Sequence, residues 1–319
     1  AWDTTAGNDT NYGSITFGNG HDKGYGVAVD SSGNVYTTGV YDGASESGNF
    51  PASNGERDVF VTKLNAAGAH QWTTTFGGTD QDYGYGVAVD GSGNVYVTGR
   101  FTGTVDFGAG NVTSAGGSDV FVTKLNAAGA HQWTTTFGGT GTDTGRGLAV
   151  DGSGNVHVTG WFSATVNFGA GNVTSVGNYD AFVTKLNSSG VHQWTTTLGD
   201  QQYDWGYGVA VDGSGNVHVT GRFGGTVDFG AGDVTSNGDN DGFVTKLNSS
   251  GAHQWTTTFG GTGSENVYGV AVDGSGNVHV TGRFWSTVNF GAGNVTSNGG
   301  YDGFVTKLNA AGAHQWTTT

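Results

Sequence analysis

The sequence predicts an all-β fold, a β-propeller of five four-stranded blades, and three observations predict it. First, the stretch 86–101 reads G-V-A-V-D-G-S-G-N-V-Y-V-T-G-R-F and returns nearly unchanged at 147–162, 208–223 and 269–284, with a more divergent copy at 26–41. Its aspartate falls at 30, 90, 151, 212 and 273, so the intervals are 60, 61, 61 and 61 residues. Second, a His-Gln-Trp marker keeps step, with Trp72, Trp133, Trp194, Trp255 and Trp316 in one register. Third, apolar residues alternate with a period of two, and no segment carries a useful run of helical period. A fixed period of this length marks a repeat architecture whose single unit is too short to enclose a core. Four antiparallel strands per repeat, joined by Gly-rich turns, make a propeller blade with both faces buried against neighbours. An open stack of sheets is the alternative, and the repeat length favours blades.

In chain order, residues 1–23 form an N-terminal segment and residues 24–319 the five-bladed domain. The segment holds Trp2-Asp3-Thr4-Thr5-Ala6-Gly7, like the W-T-T-T-F-G end of a blade, and a second strand-like piece carrying Ile15 and Phe17. Each full repeat already supplies four strands, so this segment is a spare. Either it covers an exposed edge within its own chain, or it pairs with a neighbouring molecule through Trp2, Thr4, Ile15 and Phe17.

The second repeat, 84–143, shows the blade. Val87-Ala88-Val89 runs into the turn Asp90-Gly91-Ser92-Gly93, and Asn94–Gly99 returns with β-branched residues at alternate positions, a hairpin. Phe121, Thr123 and Leu125 then share one face of a third strand. After the Asn126-Ala127-Ala128-Gly129 turn, Ala130–Phe137 forms a fourth strand rich in Thr and aromatics.

Composition narrows the possibilities. The 319 residues include 63 Gly, 1 Pro, no Cys and no Met. Gly belongs to turns, since regular alternation of Val, Phe, Tyr and Trp argues against disorder. The lack of Cys excludes disulfides, redox thiols and cysteine metal sites. Because no Met is present to start translation, Ala1 follows processing or a cut, and residues 1–20 retain no signal peptide. A mature exported or cell-surface protein is the expectation. A formal charge of −15 makes nucleic acid an unsuitable partner, and no stretch is long and apolar enough to span a membrane.

The five tryptophans read as packing residues. Their neighbours His70, His131, His192, His253 and His314 fall one per blade, too dispersed for a metal. A polar-aromatic slot holds Tyr36, Tyr96, His157, His218 and His279. The Asp-Gly-Ser-Gly-Asn turns lack the further carboxylates of a calcium loop. Asp58, Asp119, Asp180, Asp241 and Asp302 precede the third strand and are expected to bond local backbone.

Differences between copies are the better guide to binding. Arg100, Trp161, Tyr203, Trp205, Arg222, Arg283 and Trp285 stand where the copies vary, and are the candidate rim residues for sugar rings. Ordinary packing, or contact with another subunit, is the structural reading of the same residues. Asn8, Asn111, Asn172, Asn187, Asn248 and Asn294 fit the N-glycosylation pattern. Phosphate-loop, serine-elbow and zinc-helix motifs are absent, and loop carboxylates are too abundant for any pair to signal glycoside hydrolysis.

The motifs G-Y-G-V-A-V-D-G-S-G-N-V-Y-V-T-G, D-V-F-V-T-K-L-N and W-T-T-T-F-G-G together resemble the SBBP β-propeller repeat, and the first hairpin resembles NHL repeats. The resemblance covers about residues 24–319 and implies a propeller, usually on exported or surface proteins. The family name refers to seven blades, and this chain supplies five. The expected function is a non-enzymatic structural and interaction module without cofactors. Its partners would be itself or other surface proteins; the alternative is a multivalent lectin.

Overall fold

The computed structural model describes residues 22–43 and 51–319. The described residues form strands and turns without helix, and the repeat appears as five four-stranded antiparallel sheets. Sheet one is β1 (Lys23–Val29), β2 (Val35–Tyr41), β3 (Asp58–Leu64) and β4 (His70–Phe76), and sheet two is β5 (Tyr83–Val89), β6 (Val95–Asp106), β7 (Asn111–Leu125) and β8 (His131–Phe137). Sheet three pairs β9 (Thr144–Val150), β10 (Val156–Phe162), β13 (Asp180–Leu186) and β14 (His192–Leu198), with β11 (Thr165–Asn167) and β12 (Asn172–Thr174) as a separate hairpin. Sheet four is β15 (Trp205–Val211), β16 (Val217–Phe223), β19 (Asp241–Leu247) and β20 (His253–Phe259), with hairpin β17 (Thr226–Asp228) and β18 (Asp233–Thr235). Sheet five is β21 (Asn266–Val272), β22 (Val278–Phe284), β25 (Asp302–Leu308) and β26 (His314–Thr318), with hairpin β23 (Thr287–Asn289) and β24 (Asn294–Thr296). These are the blades that the repeat predicts. Residues 1–136 and 137–319 form two compact units, the first holding two blades and the second three.

The first turn of each blade is fixed by its aspartate. Asp90 Oδ1 accepts from Ser92 N and Asn94 N, and its Oδ2 accepts from Asn94 Nδ2 at 2.8 Å, so the side chain closes the turn that the sequence signals. Asn126 does the same for the turn between third and fourth strands, accepting from Ala128 N and Ala130 N.

The core lies between blades, as both-sided hydrophobicity requires. In unit one Val59, Val61 and Phe76 of the first sheet pack with Val87, Val95 and Val97 of the second. In unit two Ala181, Val183 and Leu198 meet Val209, Val217 and Val219, and Val244 and Phe259 meet Val267, Val278 and Val280. The hairpins between second and third strands cap these layers, which a four-strand reading of the repeat leaves out. Phe107 after such a hairpin packs 5.7 Å from Phe76 of the preceding blade and 5.0 Å from Phe121 of its own. The signal was present as alternating Thr-Val-Asp-Phe and Asn-Val-Thr around Gly-Ala-Gly.

Each first strand also carries a β-bulge. The register with the second strand slips at Gly24/Gly26, Gly84/Gly86, Gly206/Gly208 and Val267/Gly269, and in the third blade across 145–147. The unpaired residues are Tyr25, Tyr85, Tyr207, Tyr268 and Arg146. A bulge bends its strand and re-aims one side chain, and here it does so at the same place in every blade.

Candidate functional site

Two repeated constructions and one cluster of unequal residues make up the candidate surface. The first construction is the seam between consecutive blades. Trp72 Nε1 donates to Ala127 O at 3.1 Å, and Thr74 Oγ1 donates to Gly129 O at 2.9 Å. Trp194 and Thr196 repeat this toward Ser249 and Gly251 (3.1 and 3.2 Å), and Trp255 and Thr257 toward Ala310 and Gly312 (3.2 and 2.8 Å). Gly251 has φ of +86°, and a Cβ there would lie 2.9 Å from the Trp194 ring. Only glycine permits both that backbone and that contact. The tryptophans are therefore half-buried straps across seams, bonded as well as packed.

The fifth copy differs. Trp316 is 43% exposed, Val305 43% and Tyr301 48%, whereas Val183 and Val244, at the register of Val305, are fully buried. On the first blade Val27 is 69% and Val29 59% exposed, against 8% for Val87 and 9% for Val209 at the register of Val27. Gly68, the counterpart of Gly129, Gly251 and Gly312, has no heavy atom within 4 Å of a would-be Cβ.

The second construction is a set of buried carboxylates. Asp82 accepts from Gly78 N and Thr102 N, Asp204 from Asp200 N and Gly224 N, and Glu265 from Gly261 N at 3.0 Å and Trp285 N at 3.4 Å. Each ties the loop before the first strand to the chain leaving the second. Burial pushes all three up to about 7. Asp58, Asp119, Asp180, Asp241 and Asp302 accept from the backbone N–H four residues earlier, as expected. Burial raises the first four of them.

The polar-aromatic slot lies beneath the tryptophans. Tyr36 and Tyr96 hydroxyls donate to Asp30 and Asp90 at 3.0 Å, with Lys63 and Lys124 ammoniums 5.2 and 5.0 Å above their rings. His157 and His218 fill the same slot fully buried, each 3.6 Å from its turn aspartate, too long for a hydrogen bond. Burial first, then the nearby lysine, brings both imidazoles down to about 4. The histidines of the His-Gln-Trp motif bond the threonine three residues on, as His131 does with Thr134 at 3.0 Å.

The unequal residues gather at the starts of first strands and the ends of second strands. Trp161 stacks on Trp205 at 4.9 Å and 23°, Arg222 lies 3.8 Å above the Trp205 ring, and Tyr179, Tyr203 and Tyr207 meet its edges. Trp161, Tyr203, Trp205 and Arg222 are thus brought together. With Trp161 and Arg222 both stacked on it, Trp205 acts as a packing residue, so a sugar ring would find Tyr203, Tyr268, Trp285 and Tyr301 as the open aromatic surfaces, each more than 40% exposed. Arg283 lies 4.2 Å above Tyr301, which is 6.2 Å from Trp285. Arg100 is elsewhere, in unit one, 4.6 Å above Tyr83, whose hydroxyl accepts from Arg57 Nη1 at 2.7 Å. The bulge residues Tyr207, Tyr268 and Arg146 went unremarked in the sequence, although Gly-Tyr-Gly, Val-Tyr-Gly and Gly-Arg-Gly mark them.

The proposed assembly residues Trp2, Thr4, Ile15 and Phe17, with Asn8, lie outside the described residues. Asn111, Asn172 and Asn294 open exposed hairpin strands. Asn187 and Asn248 instead turn their side-chain oxygens onto backbone N–H groups at 3.0 Å. An open depression of about 430 Å³ between the fourth and fifth blades is lined by Asn237, Thr257, Thr258, Asn289 and His314 around buried Phe290.

Five segments, 6–40, 71–103, 132–161, 193–222 and 254–290, match the family described as Beta-propeller repeat, SBBP. Among curated proteins the chain is 29% identical over 279 residues to Regulatory protein FlaEY of Caulobacter vibrioides, covering 80% of this chain and 29% of that one. It is 26% identical over 243 residues to the Uncharacterized WD repeat-containing protein L264 of Acanthamoeba polyphaga mimivirus, covering 63% and 18%. The chain therefore spans less than a third of the length of these relatives. Among solved structures, a Bacteroides caccae protein of unknown function aligns with TM-score 0.46 at 10% identity, covering 93% of this chain and 81% of that one. The hydrazine synthase of Kuenenia stuttgartiensis aligns with TM-score 0.41 at 10% identity, covering 90% and 80%.

Proposed function

From the premise that this chain belongs to the SBBP β-propeller repeat family, we propose that it is a non-enzymatic, extracellular or cell-surface interaction module that associates with copies of itself. One observation carries the reading: the seam is built from two fixed halves, and each half recurs exposed. The fifth blade presents Trp316, Val305 and Tyr301, the residues that close a seam from behind, and the first presents Val27, Val29 and the open Gly68 turn that closes it from in front. Burying such side chains is worth about 1.5–3 kcal/mol each, so a second copy docking first blade on fifth repeats a contact the chain already makes. Each of the five sheets has four strands among the described residues, and strand exchange through the N-terminal segment is part of the same proposal.

The non-enzymatic character rests on how the perturbed carboxylates are used. Asp82, Asp204 and Glu265 are spent on backbone N–H groups inside the loops they tie, where no substrate reaches them. The relatives' names, a regulatory protein and a WD repeat protein, fit modules that act by contact.

Sedimentation of the full chain over a range of concentrations tests the reading. Association that weakens at least tenfold in Trp316→Ala, with the protomer's far-ultraviolet spectrum unchanged, is the expected result. A single monomeric species at all concentrations overturns self-association.

A second reading, carbohydrate binding, is favoured by the depression at the fourth seam. Its size lies within the usual range for small-ligand sites, and its amide, hydroxyl and imidazole lining matches sugar hydroxyls.

A further inference from the structure

The five arginines of this chain are not spread over its surface. Arg57 and Arg100 flank Tyr83 in unit one, and in unit two Arg222 lies 3.8 Å over Trp205 and Arg283 5.8 Å over Tyr268, the two rings on either side of Tyr207. In unit two the grouping follows from the bulges. A Cβ at Gly147 would lie 2.7 Å from Tyr207 O, and one at Gly208 2.6 Å from Tyr268 O, so consecutive first strands touch. Touching strands set Arg146, Tyr207 and Tyr268 side by side at equivalent bulges. Tyr207 and Tyr268 are 5.1 Å apart, and the charges of all three arginines act on the Tyr207 hydroxyl.

The cluster is rich in donors and poor in acceptors. No described carboxylate lies within ion-pair distance of Arg222 or Arg283, in a chain of net charge −15. Arg222 Nε and Trp205 Nε1 are buried donors without an acceptor among the described residues. Arg283 spends Nε and Nη2 on the Asn266 amide oxygen, at 3.0 and 3.1 Å in the amide orientation that satisfies both ends of Asn266. Its remaining donors, of the five a guanidinium carries, have no such partner. Buried donors left unmade are costly, and Arg222 and Arg283, without an ion-paired carboxylate among the described residues, are suited to an anion.

We propose that the bulge column of unit two, Arg222 and Arg283 with Tyr207 and Tyr268, is a binding site for a carboxylate-bearing saccharide. The planar guanidinium donates in parallel to both oxygens of a carboxylate, and the exposed Tyr268 ring offers the flat apolar surface on which a sugar ring lies. Either requirement alone is common; their meeting across the fourth and fifth blades is what selects an acidic sugar over a neutral one or a bare ion. This inference goes beyond the carbohydrate-binding reading, which concerns the depression lined by Asn237 and His314, and places a separate site on the arginine cluster.

Calorimetric titration with oligogalacturonate and, in parallel, with a neutral galactose oligomer tests it, on the native chain and on Arg222→Gln/Arg283→Gln. Equal melting temperatures of the two proteins serve as the fold control, and Tyr268→Ala gives an independent second variant. The expected result is binding of the acidic oligomer only, weakened at least tenfold in either variant and falling as salt is raised from 50 to about 500 mM, where the Debye length shortens severalfold. Equal binding of both oligomers by all proteins overturns the acidic-sugar site and leaves carbohydrate binding standing. Binding of neither oligomer overturns both. Acidic binding unchanged in the variants overturns the assignment to this cluster.

Discussion

Trp194 and Trp316 are the same residue in the same motif, and they live in different environments. Trp194 straps its blade to the next, donating to Ser249 O and lying on Gly251. Trp316 caps a sheet whose neighbouring positions, Val305 and Tyr301, are also exposed. Local sequence made the two blades alike, yet Trp194 is covered by the blade after it while Trp316 is 43% exposed. The comparison separates the strap that closes a seam from the same side chain left exposed.

The sharpest way to break this comparison is at the glycine beneath the strap. Gly251→Ala adds a Cβ against the Trp194 ring at 2.9 Å and forces alanine into φ of +86°, and a loss of about 3 kcal/mol or more is expected. Gly68→Ala, at φ of +81° with open space, should cost only the backbone term of about 1–2 kcal/mol. Equal losses by urea denaturation would show that the strap contributes nothing.

Next in size is the strap itself. Trp194→Ala should cost about 3 kcal/mol, from lost burial and one hydrogen bond. Trp316→Ala should cost well under half of that, and the self-association proposed above predicts at least tenfold weaker association. A comparable melting shift in both variants would mean the fifth blade's face is covered in the free protomer.

The buried carboxylates give a pH signature of the loops they tie. Asp204 and Glu265 are raised by burial to about 7 in the folded chain, above the ordinary carboxylate range near 4. The folded state then binds more protons than the unfolded one between those values. Their contribution is full below about pH 4 and is lost as pH rises through about 7. Asp204→Asn should flatten the fall in melting temperature between pH 4 and 7, and an unchanged slope would assign that fall to other groups.

The smallest expected effect is in the slot under the tryptophan. His157→Tyr installs the hydroxyl that Tyr36 and Tyr96 direct at their turn aspartates at 3.0 Å, and replaces an imidazole whose two nitrogens are buried without partners. A gain of about 1 kcal/mol is expected. Burial lowers His157 to about 4, below the free value near 6.5, so its stability contribution is present above pH 6.5 and lost as pH falls through 4. The tyrosine variant should lose that acid sensitivity. His279→Tyr, at a site 34% exposed, should gain less, and a larger gain there would overturn the burial argument.

Much of the fold was legible because it is local. Strand boundaries followed from alternating Val and Phe, and the turns from Asp and Asn bonded to backbone two and four residues on. The third-strand aspartates were legible for the same reason. The capping hairpins were missed because three-residue strands carry little periodicity, although Phe107, Phe168, Phe229 and Phe290 are all buried. At the candidate site, variation between copies picked out Trp161, Tyr203, Trp205 and Arg222 but not their arrangement. Trp161 and Trp205 come from different repeats, and their stacking buries surfaces that would otherwise suit a sugar.

The sequence by itself determined the period, the four strands of each blade and the turn chemistry, because these depend on residues within a few positions of one another. The tertiary structure alone decided which tryptophans are covered, which carboxylates are held near neutrality and where the arginines meet. The first and last of these depend on a neighbour about one repeat away, as Trp194 depends on Gly251 and Tyr207 on Arg146 and Arg283. The carboxylates depend on burial that their nearby backbone partners do not by themselves supply. A near-identical repeat writes the same letters at every such position, and only packing tells one copy from another.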